Sequence, residues 1–441
     1  MKITFMGAGS SVFAKNVLGD VMLTPAIREC EIALYDIYAP WLEETGQILS
    51  FLNEKYNENR AVIKTYLGVE NRKEALRNAD FIVNAIQVGG YKPGTVTDFE
   101  VPKKYGLRQS IADTVGIGGI FRALRTIPVL EDFARDIEEV CPNALFLNYT
   151  NPMAMLTGYL QRYTGVNSVG LCHSVQVCSR RLLKALGIEY TEPLTDRIYG
   201  INHMAWLLEV HDGTGKDLYP EIRRRAIAEL ENPQSESTDL VRYEYIRRLG
   251  YYCTESSEHN AEYNSFFIKK NYPELIDRYH IPLDEYIRRC EKQINLDRKS
   301  KKEGAAQGTL EHTPSREYTA KIINAVVTDT PFRVGGNVLN TGFLISNLPE
   351  KACVEVSCMV DGRGINPCRE GELPTALAAL NQQNIAVQML TIEAAVSKKK
   401  EDIYRAAMFD PHTSSELSID DIISLCDDLI AAHGDYLPAY H

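Results

Sequence analysis

Short apolar runs closed by a glycine or a polar residue recur through the first 195 positions, with longer mixed segments between them. Lys2–Met6 runs into Gly7-Ala8-Gly9, and an amphipathic helix is predicted to follow through about Val21. Glu31–Ile37 reads as a second strand with Asp36 at its end. Asp80–Ile86 and Ala144–Asn148 read as further buried strands whose ends carry amides, and Val166–Leu171 leads directly into Cys172. Apolar strands separated by helical stretches predict a doubly wound parallel sheet. Ligands of such sheets bind beyond the carboxyl ends of the strands, so Asn84, Asn148, Asn151 and Cys172 all fall on the expected rim.

The segment Gly89–Gly119 is rich in glycine and predicts a long loop, which in a compact domain usually carries function. A helix bearing Arg122 and Arg125 is predicted from near Ile120. The pattern changes at about Asp196. Arg197–Val210 alternates as a strand does, and helical stretches extend to roughly Asn295. Asp297–Gly304 is polar and predicts a mobile surface loop. Val326–Val360 returns to strand character, with turns expected at Gly335-Gly336 and Asn347-Leu348-Pro349, and the tail from Pro374 is helical. The predicted architecture is α/β, with a Rossmann-like domain over residues 1–195 and an α+β domain over 196–441.

Composition changes this picture little. A chain of 441 residues suffices for two domains, and 44% hydrophobic with 24% charged residues is ordinary for a globular protein. A formal charge of −11 argues against a nucleic-acid surface. No apolar run approaches the roughly 18 residues of a membrane helix, and Met1–Phe5 enters a strand with no signal peptide before it, so a cytoplasmic protein is expected. The 10 cysteines include no Cys-x-x-Cys, which leaves neither a disulfide framework nor a zinc ribbon. Arg223–Arg225 and Lys398–Lys400 read as solvated helix faces.

Candidate chemistry lies on the rim. Gly7-Ala8-Gly9-Ser10-Ser11-Val12 keeps the first two glycines of the dinucleotide fingerprint and replaces the third with Val12. The first permits a tight turn, and the second lets a pyrophosphate approach amides at a helix N-terminus. Asp36 suits ribose hydroxyls and would repel a 2′-phosphate, which favours NAD over NADP. Cys172 and His203 are 31 residues apart, but one ends a sheet strand and the other lies in a segment expected to pack nearby. Thiolate and imidazole suit divalent first-row metals; the alternative is a buried cysteine and a hydrogen-bonded histidine. Asn148-Tyr149-Thr150-Asn151-Pro152 offers amides to a ligand, or merely a helix cap. Glu255–Tyr263 is dense in acid, base and hydroxyl groups, and a capped, solvated helix start explains it equally well.

These residues together resemble glycoside hydrolase family 4, the NAD- and metal-dependent glycosidases with a lactate/malate dehydrogenase-like fold. The resemblance spans nearly the whole chain. It rests on Gly7–Ser10, Ile111–Thr114, Gly118–Pro128, Asn148–Pro152, Cys172–Val175, Gly200–His203 and Thr254–His259. Cys172-His173-Ser174-Val175 resembles the melibiase-type α-galactosidase branch, whereas enzymes of 6-phosphorylated sugars carry Asp or Asn after that cysteine. The resemblance implies that Cys172 and His203 hold a divalent metal, typically Mn²⁺. It implies that Gly7, Gly9, Ser10, Asp36, Asn84 and Asn148 serve NAD, and that Asn151 and Asn202 contact the sugar. Catalytic roles fall to Glu258 as the favoured base, Asp113 as another acid facing the cleft, and His173 as donor to the leaving oxygen.

The mechanism implied is transient oxidation at sugar C3, metal-assisted deprotonation at C2 and elimination at C1, followed by the reverse steps with water. Family 4 stands outside the two-carboxylate scheme of most glycosidases. α-Galactosides are the expected substrates, and galacturonides, glucuronides and glucosides remain alternatives. A uronidase needs a cation for the C5 carboxylate, for which Arg333 is a candidate. Resemblance also implies a homodimer or homotetramer. A malate-type 2-hydroxy-acid dehydrogenase is the nearest rival, but Met153-Ala154-Met155 follows Asn151-Pro152 where those enzymes place an aspartate. An NAD-sensing protein without catalysis is a third reading, and it has no need of Cys172 and His203.

Overall fold

The computed structural model describes the backbone of residues 1–441 and every side chain except those of Asn295 and Asp297. All twelve strands join one mixed sheet. Its first half is parallel and contains β1 (Lys2–Met6), β2 (Glu31–Asp36), β3 (Val62–Leu67), β4 (Phe81–Asn84), β5 (Leu145–Asn148) and β6 (Ser168–Gly170). These lie in the order β3-β2-β1-β4-β5-β6, which is the dinucleotide-binding order of doubly wound folds. β3 escapes the apolar-run criterion because it is a largely exposed edge strand.

Apolar residues on successive positions face opposite sides. Ile3, Phe5, Val83 and Leu147 enter one buried layer, and Met6, Ile82 and Phe146 enter the other. Both faces of the parallel strands are therefore covered, which is why they read as continuous apolar runs.

The second half of the sheet is antiparallel. It contains β7 (Thr195–Ile201), β8 (Met204–His211), β9 (Tyr252–Cys253), β10 (Phe332–Leu339), β11 (Cys353–Asp361) and β12 (Gly364–Pro367). β10 joins β6 through Asn337 and Gly170, so the sheet is continuous across the halves. The C-terminal helix Thr375–Ser397 returns to pack on the helix Gly116–Val140 of the first half. Ile403, Leu425 and Cys426 complete the apolar layer beneath Ile82 and Phe146. The two halves of the sequence thus share their core.

Four predicted features are corrected. Gly89–Gly119 is not a loop throughout, because it contains the helix Val96–Lys103, and the next helix begins at Gly116. Gly335-Gly336 lies inside β10 rather than in a turn. A Cβ at Gly335 would stand 2.9 Å from Val175, and one at Gly336 would stand 2.7 Å from the Cys358 sulfur, so close packing explains both glycines. The polar stretch expected to be a mobile loop forms the helix Arg298–Ala306. Arg298 anchors it, donating to the Gly9 carbonyl at 2.9 Å and pairing with Glu44 at 3.0 Å. Arg197–Val210, finally, is a hairpin: Ile201 pairs with Met204 across a two-residue turn of Asn202 and His203. No helix among the described residues is long and apolar enough to cross a membrane.

Candidate active site

The turn after β1 builds the first part of the site. Gly7 has φ +86°, and its amide and that of Ala8 both donate to the Tyr35 carbonyl, at 3.0 and 2.9 Å. A Cβ at Gly7 would lie 2.7 Å from the Ala85 carbonyl oxygen, so the turn is pressed against the end of β4. Ser10 is the N-cap of the helix Ser11–Leu23, yet its hydroxyl makes no capping bond. The amides of Ser10 and Ser11 turn back to the Gly7 and Gly9 carbonyls at 3.1 and 3.0 Å, so it is the end of the following helix, uncapped by Ser10, that offers a diphosphate its place. Asp36 accepts from the Gly9 amide at 2.6 Å and from the Tyr38 amide at 3.0 Å, which fixes its carboxylate beside the turn. These features fit NAD.

Asn84 and Asn148 behave differently from the expectation. Both are fully buried, and the Asn84 amide donates to Asn148 Oδ1 at 2.9 Å and Thr150 Oγ1 at 3.2 Å. Asn148 in turn donates to Thr157 Oγ1 at 3.2 Å. The pair locks adjacent strand ends together, with both NH2 groups spent inside the protein and Asn84 Oδ1 left without a partner.

Beyond the ends of β6 and β7 a second constellation forms. Cys172 precedes the helix His173–Ala185, and His203 sits in the β7–β8 turn with φ +46°. Glu255 follows β9 with φ +65°. One ligand atom from each of Cys172, His203 and Glu255 lies within 4.8 Å of the others. Two ligands bound at about 2.0–2.3 Å to one ion lie at most about 4.5 Å apart, so small side-chain shifts bring all three onto a shared centre. Non-glycine residues held at positive φ cost free energy and persist where surroundings over-determine them. Two of the three donors are such residues.

Electrostatics suit the same purpose. Burial pushes the Cys172 thiol well above its ordinary value, and the nearby Glu255 adds to this, so the free thiol holds its proton. Burial lowers His203 to about 4 against the opposing pull of Glu255, leaving a neutral imidazole such as a metal requires. Burial works against the charge on Glu255, but the imidazoles of His259, His203 and His173 outweigh it and bring the carboxyl to about 2. His203 turns Nε2 toward Glu255 at 3.7 Å. Its Nδ1 faces the hydroxyls of Thr114 at 3.2 Å and Tyr263 at 3.1 Å, partners that orient the ring. A soft sulfur, a neutral imidazole and a carboxylate, with other positions open, fit a catalytic divalent ion.

Asp113 adjoins this cluster. Its Oδ1 accepts from Thr114 Oγ1 at 2.8 Å and lies 3.8 Å from His259 Nε2, while Oδ2 faces the Asn151 amide at 3.4 Å. Asn151 Oδ1 is buried without a partner, and the buried Asn202 carboxamide faces Glu355. An unsatisfied buried amide at a cleft fits a ligand rich in hydroxyls. Arg122 donates to the Asn151 carbonyl and the Tyr286 hydroxyl, each at 3.1 Å.

The structure thus brings together Cys172, His203, Asp113 and Asn151, with Asn202 in the turn beside His203. His173 is exposed at the first turn of its helix, since β6 has ended at Gly170. Glu258 is not brought to the cluster. It sits on the helix Ser257–Glu262 and pairs with Arg289 at 2.5 Å, while the acid beside Cys172 and His203 is Glu255. Arg333 is also elsewhere. It is an exposed residue of β10 and pairs with Asp196 at 3.4 Å rather than with any residue of the cluster. Glu255, His259 and Tyr263 come from the acid-, base- and hydroxyl-rich stretch Glu255–Tyr263, and Thr114 from the glycine-rich segment Gly89–Gly119, and no local signal in either singles them out.

A Rossmann half with a Cys/His/acid centre at its rim defines a dinucleotide- and metal-dependent enzyme. Models of the family 4 glycosyl hydrolases and of their C-terminal domain match residues 2–188 and 198–413. The chain belongs to this family. It is 61% identical to an α-galactosidase of Bacillus subtilis over 440 residues, covering 100% of this chain and 99% of the relative. It is 32% identical to an α-galactosidase of Rhizobium meliloti, covering 100% and 89%. The crystal structure of a 6-phospho-α-glucosidase from gut microorganisms, in complex with NAD and Mn²⁺, superposes with TM-score 0.82 at 21% identity, covering 100% of this chain and 99% of that one.

Proposed function

We propose that this protein hydrolyses α-galactosides with bound NAD and a divalent ion, Mn²⁺ by similarity. The observation that carries the reading is the convergence of Cys172, His203 and Glu255 at the rim of a dinucleotide crevice. The 61% identity to an α-galactosidase selects the sugar. When bound, NAD supplies reversible oxidation at sugar C3 and the ion supplies Lewis acidity next to it.

The chain's own residues do the rest. The Gly7–Ser10 turn receives the diphosphate, and Asp36 meets the adenosine ribose. Cys172, His203 and Glu255 hold the ion, and Thr114 and Tyr263 set the imidazole plane. Asn151 binds a sugar hydroxyl with its unpartnered Oδ1, and Asn202, in the turn beside His203, meets another. Asp113 Oδ2, steered by Asn151, takes the proton from sugar C2. His173, exposed at the mouth, gives a proton to the departing glycosidic oxygen. The pairing of the exposed Arg333 with Asp196, rather than with any residue of the cluster, favours a neutral sugar over a uronide.

The test is a panel of p-nitrophenyl α- and β-glycosides, including galactoside, glucoside and galacturonide, with NAD, Mn²⁺ and reductant. Hydrolysis of the α-galactoside that needs both additions is the expected result. Equal rates after both are stripped, or preference for the galacturonide, would overturn it. Net NADH formation from malate or lactate would instead favour the dehydrogenase.

A further inference from the structure

Glu262 is a buried carboxylate that the reaction does not touch, and it occupies an unusual place. It ends the helix Ser257–Glu262 and is 3% exposed. Oε1 accepts from the amides of Ser110 and Ile111, the latter at 3.0 Å, and Oε2 accepts from the amide of Ala112 at 3.0 Å. Three consecutive backbone N–H groups form a concave nest of the kind that ordinarily receives an anion. Here the chain fills it with its own side chain, from 150 residues away.

The segment it grips leads directly into the site. Ala112 is held at φ +52°, where a non-glycine residue stays only under external constraint. Asp113 and Thr114 follow, facing His259 and His203. On the other side the segment rests on glycines: a Cβ at Gly118 would lie 2.6 Å from the Ala112 carbonyl, and one at Gly119 would lie 2.6 Å from Thr114. The helix carrying Glu262 also carries His259 and is followed by Tyr263. One carboxylate therefore ties the segment bearing Asp113 to the element bearing the groups it faces.

We propose that Glu262 is a positioning residue, whose carboxylate clamps the 110–112 amides and so sets Asp113 and Thr114 against His259 and His203. This rests on the proposed role of Asp113 in hydrolysis. Loss of the clamp lets Ala112 relax toward negative φ and carries the next two residues out of register, so His203 loses its Thr114 partner and keeps Tyr263, while Cys172, Glu255 and the nucleotide turn stay in place.

The experiment compares Glu262→Gln in the wild-type and Asp113→Asn backgrounds, using enzyme loaded with NAD and Mn²⁺. In the wild-type background kcat on the α-galactoside falls about 10- to 100-fold, the cost of a misplaced reacting group. KM and half-saturation by NAD move less than about twofold, since uniform binding is kept. In the Asp113→Asn background the same change costs less than about threefold, because the group being positioned is already gone. Equal losses in both backgrounds, or a loss confined to KM, would overturn the proposal. Native-state hydrogen exchange on the unmutated holoenzyme tests the clamp without any variant. The Ser110–Ala112 amides are expected to exchange as slowly as those of the Gly116–Val140 helix, and fast exchange would refute it. If the wild type cleaved no glycoside, the functional reading would fall while the exchange result still judged the clamp.

Discussion

Metal binding to the apoprotein should release one proton per ion, so that affinity rises about tenfold for each pH unit between about pH 6 and 9. The count comes from the three donors. Cys172 is pushed well above the ordinary thiol value by burial and arrives protonated throughout this window. Glu255, near 2, is already ionised, and His203, near 4, is already neutral, so neither gives up a proton. A ligating sulfur must be a thiolate, so raising the pH removes the competing proton and favours the ion. Each pH unit contributes about 1.4 kcal/mol. Titration calorimetry in two buffers of different ionisation enthalpy measures the protons released, and competition with a chelator at several pH values measures the slope. A slope near zero would mean that the sulfur is not a ligand or is already ionised. A slope of two would mean that His203 starts protonated. Cys172→Ser should abolish most of the slope along with the affinity.

Three further outcomes are expected. Gly7→Ala combines a positive φ with a Cβ 2.7 Å from the Ala85 carbonyl, so stability should fall by about 2–5 kcal/mol and NAD affinity with it, as urea unfolding and cofactor titration would read. Asp113→Asn should lower kcat by about 10²–10⁴, whereas Glu258→Gln, which loses the ion pair with Arg289 and touches none of the metal donors, should change it less than about threefold; the reverse order would restore Glu258 as base. Asp98→Ala strands the Arg125 guanidinium, which is 0% exposed and gripped at 2.6 Å, and should cost about 3–5 kcal/mol in denaturant unfolding, with a change under about 1 kcal/mol refuting the buried pair.

The parallel half of the fold was legible from local pattern. Each of its strands but the exposed edge strand is an apolar run, because both faces are covered. The glycine turn, the acid ending β2 and the rim position of Cys172 follow from residues near one another in the chain. Cys172 could be named as a candidate donor from residue type and a strand end, and His203 from residue type within a strand-like segment, though nothing in a spacing of 31 residues says that they meet.

What tertiary structure alone decided was which of several similar side chains faces the cleft. Glu255 and Glu258 are three residues apart in one polar stretch, and sequence treats them alike. The backbone at Glu255 turns into the left-handed region and aims its carboxylate at the metal centre, while the helix that follows carries Glu258 to Arg289. Gly335 and Gly336 read as a turn because their reason for being glycine, the approach of Val175 and Cys358, comes from distant segments. The polar helix Arg298–Ala306 is held by Gly9 and Glu44, far upstream. Periodicity and local chemistry are carried by neighbours in sequence and can be read there. Side-chain direction, close packing and the choice among equivalent polar groups depend on partners tens to hundreds of residues away, and only the folded chain supplies them.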